Sequence, residues 1–176
     1  MARVITFSRY FQKTHPRAGE PTYFVEALYH SLYLMKTVPK ELEETFSYEK
    51  FSTGYAKHHT IRAGNRFKKG DYFSPRVWSG KPYKSKQIVL APDTEIKNVW
   101  NFEIKNEFQA DGWYNFFYLD GKFKTWDELE IIAMNDGLPL SDMVHWFKAN
   151  DGYFSGKENL CNFIGQVICW NDKVNY

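Results

Sequence analysis

The chain has 176 residues, with 23 Lys and Arg against 21 Asp and Glu, and its aromatic content is 19%. That length suits one domain with a sizeable core, and the composition excludes a disordered tail or linker. No apolar run approaches the roughly 20 residues of a bilayer span. The opening MARVITFSRYF lacks the apolar centre of a signal peptide, so a soluble, cytoplasmic protein without a membrane partner is expected.

Residues 3–8, RVITFS, alternate and predict an opening strand. Residues 21–36 predict a helix, with Phe24, Leu28, Leu32 and Met35 on one face and Pro21 in its first turn. Residues 37–56 read as a connector with one short helix. The tetrapeptide KKGD at 68–71 signals a turn in which Asp71 caps, and YFSPRVW then predicts a strand whose Pro75 implies an edge or a bulge. Residues 86–92 and 95–105 follow as strands, joined by a turn at 91–93. Residues 113–123 predict a strand ending in the Asp120-Gly121 turn. Thr125 and Glu128 form a capping-box pair opening a short helix, and Asn135-Asp136-Gly137 breaks it. A second helix is expected over 138–150, burying Leu140, Met143, Val144 and Phe147. An apolar strand over 163–170 closes the chain. Cys161 and Cys169 read as buried free thiols. Short antiparallel strands with two to four helices predict an α+β fold whose sheet curls into a small barrel.

Charge is distributed unevenly. Between Lys57 and Lys86 lie nine basic residues and one acid, Asp71, a local charge of +8 on a remainder of −6. Phe67, Tyr72, Phe73, Trp78 and Tyr83 are threaded through it. Cations for phosphate and rings for base stacking are the composition of a single-stranded nucleic acid or nucleotide site. A solvated basic loop with core aromatics fits the same composition. Within the stretch, Lys57-His58-His59-Thr60-Ile61-Arg62 places Thr60 and Arg62 on one face of an extended segment and His59 and Ile61 on the other. A Thr hydroxyl beside a desolvated Lys can form a nucleophile–base pair, although a strand Thr next to a solvated Lys is the simpler reading of the residues alone. Asp136, in the break between two helices, is either a turn-former or a freely projecting carboxylate. No dinucleotide fingerprint, phosphate loop or zinc pattern occurs and the histidines lack chelating spacing, so neither a cofactor nor a metal is expected.

Several of these pieces, taken in order, resemble the ASCH domain family of the PUA-like superfamily, and most closely its bacterial N(4)-acetylcytidine amidohydrolases. The resemblance rests on Ile5-Thr6-Phe7 with Arg9 and Phe11, Lys57-x-x-Thr60-Ile61-Arg62, Phe67-Lys68-Lys69-Gly70-Asp71, the segment Ala133 to Leu140, and the closing strand Phe163–Trp170. It implies a PUA-like barrel over residues 1–176 as a single domain, with an inserted helix and connector at about 20–56. It also implies a catalytic set of Lys57, Thr60 and Asp136, with Asp136 standing where the family has Glu. Losing one methylene removes around 1.5 Å of reach, a misplacement that can cost orders of magnitude in rate. The expected function is therefore binding of RNA, a nucleotide or a modified nucleoside, with acyl-nucleoside hydrolysis as the alternative. Ligand contacts are expected from Arg62, Arg66, Lys68, Arg76, Trp78, Lys81 and Tyr83.

Overall fold

The computed structural model describes residues 2–35, 54–110, 112–147 and 162–176, and these form an α+β fold with two sheets. The elements are β1 (Arg3–Phe7), α1 (Phe24–Leu34), β2 (His59–Ala63), β3 (Tyr72–Trp78), β4 (Gln87–Val89), β5 (Thr94–Glu95), β6 (Asn98–Gln109), β7 (Gly112–Leu119), β8 (Lys122–Phe123), α2 (Trp126–Asn135), α3 (Leu140–Trp146) and β9 (Phe163–Cys169). The short helix expected within 37–56, the far end of the helix expected to reach 150, and Cys161 lie outside the described residues.

One sheet has the order β1-β3-β4, with β5 also on β3. Its β1–β3 pair is parallel, from Arg3 opposite Phe73 to Phe7 opposite Val77. The other is antiparallel, in the order β2-β9-β6-β7-β8. Residues 95–105, expected as one strand, divide between the two. Consecutive amides point to opposite sheets: Ile96 N–H donates to the Asp71 carbonyl (2.8 Å) and Lys97 N–H to the Cys169 carbonyl (2.8 Å). With Ile96 fully buried, this corner carries the chain from one sheet to the other.

Pro75 lies within the central strand β3 rather than at an edge. A residue's N–H and C=O leave a strand on the same side. The Pro75 carbonyl accepts from Leu90 N–H at 2.9 Å, so its missing donor faces the gap between β5 and β4 and costs the β1 ladder nothing. The strand expected over 86–92 contracts to β4, beyond which Leu90 and Ala91 are buried. Asp120 and Gly121 both take positive φ (47° and 74°), the tight hairpin turn that joins β7 to β8.

Helix α1 begins at Phe24, later than expected. Pro21 bridges to Tyr10, and Tyr23, at φ 58°, turns the chain into the helix. Phe24, Leu28 and Leu32 are buried as the periodicity requires. The Thr125–Glu128 capping box is present in full and opens α2. Between the sheets, Trp170 packs edge-on against Phe7 (6.2 Å) and tilted against Phe73 (5.3 Å), so rings from both sheets meet in one core. Cys169 is a buried free thiol, and burial pushes its pKa up to about 12. Among the described residues, no helix is long and apolar enough to cross a membrane.

Candidate functional site

Helix α2 ends in a Schellman motif. Gly137 N–H donates to the Met134 carbonyl and Leu138 N–H to that of Ala133, both at 3.0 Å, with Gly137 at φ 78°. The positive φ favours glycine there, and the space is also tight, since a Cβ would sit 3.2 Å from Lys57 Cβ and 3.3 Å from Ala27 Cβ. The motif leaves Asp136 at the C-cap, where a carboxylate meets the negative end of the helix dipole and is locally disfavoured. Lys57 supplies the compensation. Its backbone is set by N–H bonds from Lys57 to the Ala27 carbonyl (2.9 Å) and from His58 to the Asn135 carbonyl (2.7 Å), which clamp the approach to β2 between α1 and α2.

The Lys57 ammonium donates to Asp136 Oδ1 at 2.7 Å and to the Asp136 carbonyl at 2.5 Å. It lies 4.1 Å from the Phe24 ring centroid and 5.9 Å from that of Phe7. Lys57 is only 1% exposed. Burial, only partly offset by Asp136, lowers its pKa to about 8. Burial alone would raise the Asp136 carboxyl, but Lys57 and His59 together hold it below its ordinary value. His59 is fully buried behind the pair, with Nδ1 3.5 Å from Asp136 Oδ1, and burial lowers its pKa so that it stays neutral. That distance is long for a hydrogen bond, so the neutral ring meets the carboxylate as a dipole.

Lys57 and Asp136 line a cavity of about 190 Å³, together with Thr60, Arg62, Trp78 and Tyr83. Six residues expected at the site from sequence therefore share one space. Thr60 is buried, and no hydrogen bond engages its hydroxyl among the described residues. Arg62 donates to the Thr6 carbonyl at 2.6 Å and lies over the Phe7 ring. Burial lowers its pKa, Arg66 lowers it further, and Asp136 and Tyr83 act in the opposite sense. The formal charge of the lining is thus +1, from Lys57, Arg62 and Asp136.

Four other expected contacts lie outside the lining. Arg66, Lys68 and Lys81 are exposed, and half-buried Arg76 donates to Ser74 Oγ and Gln87 Oε1, both at 3.2 Å. Asp71 caps its turn, with Oδ2 accepting from Lys68 N–H at 2.9 Å. Conversely, Phe24, Trp146 and Phe147 line the cavity although helical periodicity assigns Phe24 and Phe147 only to core stripes. His59 carried no signal of its approach to Asp136, since the two are far apart in the chain. Among the described residues no group of three or more His, Cys, Asp or Glu is arranged to hold a metal ion.

Compared with known proteins, the chain matches no family model, no curated protein and no solved structure.

Proposed function

We propose that this chain is an ASCH-like protein, its two sheets curling as a PUA-like barrel, and that its cavity receives the base of a nucleoside, nucleotide or RNA. One observation carries the reading: a hydroxyl without a hydrogen-bond partner among the described residues (Thr60) and a guanidinium (Arg62) share a small, ring-lined space with a net positive charge. A volume of about 190 Å³ is below the ~300–1,000 Å³ of sites for drug-sized ligands, and suits one flat ring whose sugar and phosphate stay outside. Thr60 can donate to or accept from a base edge, Arg62 favours a carbonyl oxygen, and the rings supply stacking. Lys57 already spends two N–H groups on Asp136, so it sets the charge of the floor rather than reaching for the ligand.

A second reading, hydrolysis of an acylated nucleoside such as N(4)-acetylcytidine, is favoured by the Lys57 pKa of about 8. With that value, about one molecule in ten carries the neutral amine at pH 7. That amine would take a proton from Thr60 or a water. The resulting oxygen would attack the acetyl carbon, Arg62 would stabilise the oxyanion, and Lys57 would return the proton to the departing amine as the C–N bond breaks. If water attacks, acetate leaves directly; if Thr60 attacks, a water deprotonated by Lys57 would then hydrolyse the acetyl ester, releasing acetate while Lys57 returns the proton to the Thr60 oxygen. Asp136 would hold Lys57 in place throughout.

Both readings are tested by incubating the protein with cytidine and N(4)-acetylcytidine, following binding by calorimetry and acetate release by chromatography, with Thr60→Val alongside. Saturable binding lost in Thr60→Val supports a base site, and acetate release lost in the same variant supports the hydrolase. Binding that survives Thr60→Val unchanged would remove the cavity from consideration.

A further inference from the structure

Tyr83 adopts a left-handed backbone conformation, with φ 63°, that bulky residues rarely take. Burial gives no reason for it, since the residue is 90% exposed. The loop holds it there through its own bonds: Ser79 N–H to the Lys86 carbonyl (2.9 Å), Gly80 N–H to Ser85 Oγ (3.0 Å), and Ser85 Oγ–H to the Lys81 carbonyl (3.0 Å). Its ring stands 5.3 Å from Trp78 at 50°, so it borders the cavity while presenting its outer face to solvent. A strained, exposed, anchored ring is the kind of outlier that points to a ligand. On the same loop Lys81, Lys84 and Lys86 are exposed, and residues 79–86 contain no acid.

We infer that the ligand is a single-stranded polynucleotide, with one base in the cavity, the next stacked on Tyr83, and the linking phosphate met by the loop lysines. This rests on the base-cavity reading and extends it. The cavity has room for one ring, so the sugar and phosphate of that nucleotide must emerge at the rim. There the chain offers cations within a few residues of a free aromatic face, the pairing used to track single strands without reading sequence. A free nucleoside would leave Tyr83 with only half of its role.

The test compares binding of the common ribonucleoside 5′-monophosphates with binding of short single-stranded RNA of mixed sequence, over a salt series. The variants are Tyr83→Gly, which removes the ring and relaxes the backbone, and Lys81→Gln. RNA is expected to bind at least roughly ten-fold tighter than any monophosphate, and Tyr83→Gly to weaken RNA about ten-fold more than monophosphates. Lys81→Gln is expected to flatten the salt dependence by about one phosphate contact. Unfolding midpoints at or above the wild-type value in Tyr83→Gly would show that lost affinity is not lost structure. If monophosphates bind but RNA binds no tighter, or if Tyr83→Gly weakens both alike, the polynucleotide inference is overturned and the base cavity stands. If neither ligand binds, both fall together.

Discussion

Replacing Lys57 by Met isolates the charge of the buried pair. The unbranched Met side chain can retain the packing between Phe7 and Phe24 while the ammonium is lost, leaving the Asp136 carboxylate 6% exposed with neutral His59 at 3.5 Å as its nearest ionisable neighbour. Removing one partner of a buried ion pair typically costs about 3–5 kcal/mol, because the surviving charge is neither solvated nor compensated. The double variant Lys57→Met/Asp136→Asn removes that charge and is expected to recover most of the loss. Urea unfolding at pH 7 measures all three proteins. The pH dependence follows from the sign of the Asp136 shift. In the wild type its pKa is held below the unfolded value, so its contribution is present above that value and lost as pH falls. In Lys57→Met the carboxyl is no longer held down, and protonation of either it or His59 relieves the burden. The deficit of the variant should therefore shrink on acidification. A single variant within about 1 kcal/mol of wild type at pH 7, or a deficit that grows as pH falls, would refute the role given to the pair.

His58 has its pKa lowered to about 4, by burial first and then by His59 and His30. Its Nδ1 lies 2.8 Å from Ser31 Oγ and 3.0 Å from Asn171 Nδ2, and the Asn171 N–H, oriented by Lys173 N–H on its own Oδ1, needs an unprotonated Nδ1 to accept it. Its contribution is full above the unfolded value near 6.5 and is lost as pH falls toward 4, a drop of about 2–3 kcal/mol after allowance for partial exposure. Denaturation midpoints across that window should flatten in His58→Gln, and an unchanged slope would contradict the assignment. At Gly165 an added Cβ would lie 2.3 Å from the Arg62 carbonyl oxygen and 2.6 Å from the Phe163 ring. Gly165→Ala is therefore expected to destabilise by about 1–3 kcal/mol by pushing β9 off β2. A thermal midpoint equal to wild type would show that the strands yield without cost.

The capping box at Thr125–Glu128, the Asp71 turn and the Asp120-Gly121 turn could be read from the chain because each is decided by residues a few positions apart. Lys57, Thr60 and Arg62 reach the cavity on one short extended segment, but the residues alone read more simply as a strand Thr beside a solvated Lys, and only the family resemblance singled them out as a set. What local pattern does not contain is partnership. Residues 95–105 alternate like one strand, and only the tertiary positions of Asp71 and Cys169 split them between two sheets. Pro75 is an edge signal in isolation, and it is tolerated centrally only because its missing donor meets a gap between two short strands. The cationic stretch divides in the same way. Lys57 is internal and Arg62 and Arg76 are half-buried, whereas Arg66, Lys68, Lys69, Lys81, Lys84 and Lys86 remain on the surface. Net charge along a sequence does not say which cations face water.

Strand pairing also sets an order of assembly. β1 precedes its partner β3 by some 70 residues. β2 finds its partner only in β9, almost at the end of the described chain. Contacts of such separation form slowly. On a ribosome, β2 would wait unpaired until β9, some 100 residues further on, has emerged, and Lys57 would stay hydrated until residue 136 emerges. The cavity is therefore among the last features to exist, and ribosome-bound chains halted before β9 should contain α1, the β6–β7 hairpin and α2 without a binding site.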